Sequence, residues 1–133
     1  MTRKLINPGR TKRTYDNFHF SQATRAGDTI WVSGQIGLDA ENRPANGIGE
    51  QTRLAFENLK TVLEAAGATL GDVVELTTFH MDLKGGVAEF AKVKDTFFPD
   101  NYPSWTAVGV TELAIPGLLI EIRAVAVAGS ALS

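Results

Sequence analysis

The sequence contains no cysteine. That excludes a disulfide framework, a thiolate nucleophile and any cysteine-based zinc or iron–sulfur centre. Histidine is scarce as well: His19 and His80 are the only two. They show no H-E-x-x-H spacing, so each reads as an ordinary packed or surface histidine and no metal site is expected. Excess positive charge is missing, since 13 Lys and Arg stand against 15 Asp and Glu for a net charge of −2. This balance argues against a nucleic-acid partner, although Arg3, Lys4, Arg10, Lys12 and Arg13 crowd ahead of the first acid, Asp16. No apolar run approaches the ~18 residues of a membrane span, and the opening stretch meets Pro8 before a signal-peptide core can form. A cytoplasmic protein without a membrane partner is expected. Neither G-x-x-x-x-G-K-[ST] nor G-x-G-x-x-G occurs, which leaves no phosphate cradle and no cofactor in view. Asp39-Ala40-Glu41-Asn42 lacks the glycine and terminal glutamate of a calcium loop and reads as a solvated turn.

What is present is the composition of one domain over residues 1–133, with 44% hydrophobic and 21% charged residues. A chain of this length buries roughly two-thirds of its unfolded surface, enough for a core without staples. Ile30-Trp31-Val32-Ser33, after the turn-like Gly27-Asp28, reads as a strand leading through Gly34-Gln35-Ile36-Gly37 into a polar loop that runs to Gly49. From Glu50 to Ala66, the residues Ala55, Leu59, Val62, Leu63 and Ala66 recur at helical spacing, and Gly67 supplies the stop. Val73–Met81, rich in Val, Thr and Phe, reads as a strand ending at Asp82 and a Lys84-Gly85-Gly86 breaker. A second helix follows with Val87, Phe90, Ala91 and Phe97 as its apolar set, ended by Pro99 and Pro103. Thr106–Thr111 and Leu118–Val127 read as two closing strands around a Pro116-Gly117 turn.

This order predicts an α+β layer in which two helices cover one face of a mixed sheet. In the last strand Leu118, Ile120, Ile122, Ala124 and Ala126 alternate as an apolar set, placing them under the helices and Glu121 and Arg123 on the opposite face. In the strand before it, Trp105, Ala107 and Gly109 share one side, a bulky ring beside two small residues. That side is expected to lie with Trp31 on the second face, forming a recess and a surface for homo-oligomerisation. Glu121 sits amid Leu119, Ile120, Ile122 and Val125, where desolvation would raise its pKa toward acid–base use. The alternative is an ion pair with Arg123 or across a subunit boundary. Trp105 reads as an interface or core anchor, or as the wall of a pocket where indole stacks on a planar ligand.

Phe20-Ser21-Gln22-Ala23, Gly27-Asp28-x-x-x-Val32-Ser33-Gly34-Gln35, the helix carrying Asn58-Leu59, and Leu118-x-x-Glu121-Ile122-x-Ala124-Val125-Ala126 together resemble the Rid family of reactive-intermediate deaminases, also called YjgF or L-PSP. The match runs over nearly the whole chain. The resemblance implies a chorismate-mutase-like α+β fold, a homotrimer with small-molecule clefts between subunits, and cofactor-free hydrolysis of enamines and imines such as 2-aminoacrylate to a keto acid and ammonia. Carried over residue by residue, it makes Glu121 the group that orients or activates water, and assigns Phe20, Ser33, Gly34, Trp105, Thr106 and Ala107 to the cleft.

The chain also departs from that pattern. Trp105 in Tyr102-Pro103-Ser104-Trp105-Thr106 occupies the place of an arginine that forks onto the substrate carboxylate, and indole cannot replace a bidentate cation. Phe20 lacks the hydroxyl of the family's tyrosine, Ala91 aligns with an expected asparagine, and Ala107 with a frequent cysteine. Losing a charge-assisted bond to a buried anion costs about 1.5–3 kcal/mol. Three readings follow: a deaminase-type hydrolase of an imine or enamine other than 2-aminoacrylate, a non-catalytic trimer binding a small molecule or a partner, and, last, an endoribonuclease or translation inhibitor.

Overall fold

The computed structural model describes all 133 residues. In chain order the elements are β1 (Lys4–Ile6), α1 (Thr11–Phe18), β2 (Ala23–Ala26), β3 (Thr29–Gln35), α2 (Ile48–Ala65), a 3-10 turn (Leu70–Asp72), β4 (Val73–His80), α3 (Leu83–Phe97), β5 (Ser104–Gly109) and β6 (Ile120–Val127). The strands form one six-stranded sheet ordered β1-β2-β3-β6-β4-β5. It is mixed, because β5 runs parallel to β4 while the other neighbours are antiparallel.

The two amphipathic helices lie where the sequence places them. α2 turns Ala55, Phe56, Leu59, Val62 and Leu63 inward, and α3 contributes Phe90, over Ile120, Ile122, Ala124 and Ala126 of β6 and Ile30 and Val32 of β3. Gly67 ends α2 with φ +85°, and the Ala68 N–H reaches back to the Leu63 carbonyl at 2.8 Å. One buried polar side chain ties α2 to the chain ahead of β6. Gln51 donates from Nε2 to the Ala45 and Gly117 carbonyls and accepts the Leu119 N–H at Oε1.

Three expectations are corrected. Two helices are expected, and the basic N-terminal stretch adds further elements. Lys4–Ile6 is an edge strand paired with β2, and Thr11–Phe18 is a third helix with no buried residue. α1 is short and buries no side chain, and it carries a Lys12–Asp16 pair at 2.9 Å on its outer surface. Lys84-Gly85-Gly86 is the first turn of α3 rather than a breaker, because the Asp82 side chain caps the helix by accepting the Gly85 N–H.

The third correction concerns Trp105, Ala107 and Gly109, which face the helices and not the open side. The parallel register pairs Leu76 with Trp105, Thr78 with Ala107 and His80 with Gly109. Leu76, Thr78 and His80 are fully buried, and paired residues on adjacent strands point the same way. Thr106 and Val108 therefore occupy the open face. Alternation in an edge strand states that two sides differ, and only the pairing states which side is the core.

Candidate functional site

Glu121 projects from β6 onto the open face, paired across to Phe79 of β4. It is half-buried, and burial pushes its carboxyl above the ordinary value of 4.5. The expected alternative of an ion pair with Arg123 is not formed: Arg123 reaches Glu75 instead, at 3.9 Å between exposed side chains. The carboxylate packs on Gly34, where the β3 ladder shifts register between Val32 and Gln35. Any Cβ at residue 34 would collide with it, so the glycine makes room for the acid. Beside this contact Ser33 donates its hydroxyl to the Ser21 carbonyl at 2.7 Å, and the Ser33 N–H reaches the Gln22 carbonyl at 2.8 Å. This draws the Phe20-Ser21 segment to the β3 end, with Phe20 left exposed. Ser33, Gly34 and Glu121 thus form one cluster, with Phe20 at its border and Thr106 farther along the same face.

Trp105 and Ala107 form a separate group on the helix side. The indole stacks on Phe90 at 5.8 Å, and Lys94 Nζ stands 4.8 Å from its ring centre. The indole Nε1–H donates to Thr78 Oγ1 at 2.9 Å, and that oxygen lies 2.7 Å from His80 Nε2. His80 packs against Phe90, edge to face at 4.8 Å, and desolvation lowers its pKa from 6.5. Trp105 is therefore a core anchor at the α3–β5 margin that shows only part of its ring to solvent.

Three participants escape a reading of the sequence. Lys94 is 6% exposed, with only Asp95 at 3.7 Å as an ionic neighbour. It marks the Trp105 group as cationic, although as a single lysine in a helix it carries no motif. Thr78 and His80 could be assigned one face from their i, i+2 spacing, but their link to Trp105 needs the β4–β5 pairing. Phe79 and Val108, paired with each other, join Trp31 and Val125 as apolar residues of the open face, where Trp31 is 43% exposed.

The family model for Endoribonuclease L-PSP matches residues 11–128. RutC family protein YjgH of Escherichia coli is 39% identical over 125 residues, covering 93% of this chain and 94% of that protein. A protein named 2-iminobutanoate/2-iminopropanoate deaminase from Dermatophagoides farinae is 34% identical over 113 residues, covering 81% and 84%. Among solved structures, a Mycobacterium tuberculosis member of the YjgF/YER057c/UK114 family superposes with a TM-score of 0.83 at 32% identity, covering 95% of this chain and 99% of that one. No helix is long and apolar enough to cross a membrane.

Proposed function

The chain belongs to the Endoribonuclease L-PSP family, the Rid family of imine deaminases, and on that premise we propose that it hydrolyses an imine or enamine other than 2-aminoacrylate in a cleft completed between copies of the chain. The observation that carries this reading is the Glu121 carboxylate, half-buried on Gly34 and without a cationic partner. Desolvation without neutralisation brings a carboxyl toward the pH at which it can both take and give a proton. Glu121 takes a proton from water as the oxygen adds to the imine carbon and returns it to nitrogen. Glu121 then takes the hydroxyl proton of the adduct and passes it to the amine nitrogen, so that the C–N bond breaks to release ammonia and leave a carbonyl, with no cofactor required.

The need for a second copy follows from the two groups. Glu121 and Trp105 lie on opposite faces, with β4 between their strands, so one chain cannot close both around a single ligand. The open face, with Trp31 at 43% and Val108 at 37% exposure, suits burial against another copy, and a homotrimer is the assembly we propose. Phe20, Ser33, Gly34 and Thr106 would then come from one subunit, and Trp105 and Ala107 from its neighbour. At that margin the indole offers a stacking wall rather than a carboxylate fork, which favours an aromatic or less anionic imine.

The test follows loss of semicarbazide-trapped imine over a panel of aliphatic, aromatic and carboxylate-bearing imines. The native protein is expected to accelerate loss of the aromatic or neutral members, and Glu121→Gln to reduce the rate at least 100-fold with the fold intact. No acceleration of any member, together with retained ligand binding by both proteins, would establish the non-catalytic trimer instead. That second reading is favoured by Ser33, whose hydroxyl proton is already held by the Ser21 carbonyl. The endoribonuclease reading finds little support, with His80 buried at 1% exposure and the balance acidic.

A further inference from the structure

On the helix side of the sheet a cavity of about 180 Å³ opens at the start of α3, lined by Ile48, His80, Asp82, Gly85, Gly86 and Leu119. None of these residues belongs to the cleft proposed above. His80, 1% exposed, contributes a ring whose Nδ1 has no partner in the chain. Buried polar atoms are nearly always met, and the bonds of Thr78 decide what this one offers. An indole N–H can only donate, so Thr78 Oγ1 accepts from Trp105, and because its own proton finds no other acceptor in the chain we assign that proton to His80 Nε2. On that assignment the proton of the neutral imidazole resides on Nδ1, and a residue lining the cavity carries a buried, unmet N–H donor.

Asp82, exposed, stands at the same cavity with complementary chemistry. Its Oδ1 accepts the Gly85 N–H, while Oδ2 receives no hydrogen bond from the chain. An anion would face the Asp82 carboxylate with no cation to offset it, and an ammonium would face the His80 N–H. Ile48 and Leu119 supply apolar walls.

We propose that this cavity binds a small neutral molecule carrying a carbonyl acceptor next to an N–H donor, the pattern of a primary amide, urea or carbamate. The carbonyl accepts from His80 Nδ1–H, the N–H donates to Asp82 Oδ2, and a short aliphatic part lies between Ile48 and Leu119. The Gly85-Gly86 pair keeps the entrance open. A Cβ at residue 85 would stand 2.8 Å from Asp82 Cγ, whereas one at residue 86 meets only Ile48 Cγ1, at 3.7 Å. Position 86 can therefore accept a side chain that plugs the mouth.

The experiment titrates the full-length protein, with its histidine rings labelled with nitrogen-15, with acetamide, acetate and methylammonium. Acetamide is expected to saturate and to shift the His80 Nδ1–H resonance, with at least tenfold weaker binding of the two ions. His80→Gln keeps an amide near the Nε2 position for Thr78 and removes the Nδ1 donor, and it should weaken acetamide at least tenfold. Gly86→Leu should do the same by occupying the mouth, and it carries the test alone if His80→Gln does not fold. Acetate binding as tightly as acetamide, unchanged acetamide affinity in a folded variant, or a bound water on Nδ1–H that acetamide does not displace would overturn the proposal.

Discussion

The carboxylate of Glu121 rests on the α-carbon of Gly34 so closely that a Cβ at residue 34 would stand 2.8 Å from Glu121 Cγ. Gly34 does not have a positive φ, so glycine is required there for space and not for backbone conformation. Gly34→Ala should displace the acid while leaving the sheet paired. Overpacking of this kind costs about 1–3 kcal/mol, read as a lower urea midpoint. If Glu121 is the proton carrier, kcat/KM for imine hydrolysis falls at least tenfold in the same variant. An unchanged rate would detach the Glu121 position from the chemistry.

Glu121 also sets a pH dependence of stability. Its carboxyl is raised by burial, so the folded chain holds that proton more tightly than the unfolded chain. Stability from this group is then fully present below the ordinary value of 4.5 and falls as pH rises through the higher folded value. Glu121→Gln removes the penalty of ionisation. It is expected to be more stable than the native protein at pH 7, with the difference vanishing below pH 4.5. Urea unfolding at a series of pH values measures this, and a less stable variant at neutral pH would contradict a desolvated carboxylate.

His80 acts in the opposite sense. Burial lowers its pKa from 6.5, so below that value the unfolded chain takes up a proton that the folded chain refuses, and stability drops as pH falls. His80→Gln should flatten the stability profile just below pH 6.5 without affecting the slope owed to Glu121. The same urea series reads both, and a profile identical to the native one would mean that the imidazole is not held neutral.

The bonds around Thr78 predict an ordering of mutational costs. Trp105→Phe keeps the ring on Phe90 and removes one donor, a loss of about 1 kcal/mol. Thr78→Val leaves both the Trp105 N–H and the His80 Nε2 without their partner, so about 2–4 kcal/mol is expected. The double variant should cost less than the sum, because the indole donor is already gone. Strict additivity in chemical denaturation would show that the two side chains do not share the bond.

How much of this was legible in the sequence depends on where each residue is buried. α2, the core side of β6 and the Gly67 stop were readable because one face of each is apolar and the period shows it. α1 and β1 were not, since neither buries a face. Glu121 was placed on the correct side by alternation alone. Trp105 was placed on the wrong side, because the residue pattern Trp-Thr-Ala-Val-Gly fits either orientation until Leu76 and Thr78 are set beside it. The separation of Glu121 from Trp105 and the inward bond to Thr78 are tertiary facts, created by strand order.

The open face makes the last prediction. Trp31 pairs with Val125 across β3 and β6, and Phe79 with Val108 across β4 and β5. Together they make the open face partly apolar, with Arg123, Thr77 and Thr106 in the row between the two pairs. Burying it at about 25 cal/mol per Å² drives association, and one charge placed in it must be desolvated without a partner. Trp31→Glu and Val108→Lys are both solvent-exposed substitutions in one copy, so each isolated chain should retain its fold by circular dichroism. In sedimentation velocity the native protein is expected as a trimer and the variants as monomers. Imine hydrolysis should disappear with the assembly, because Glu121 then loses the Trp105 margin of its neighbour. A variant that is monomeric yet fully active would place the whole site within one chain and overturn the shared cleft.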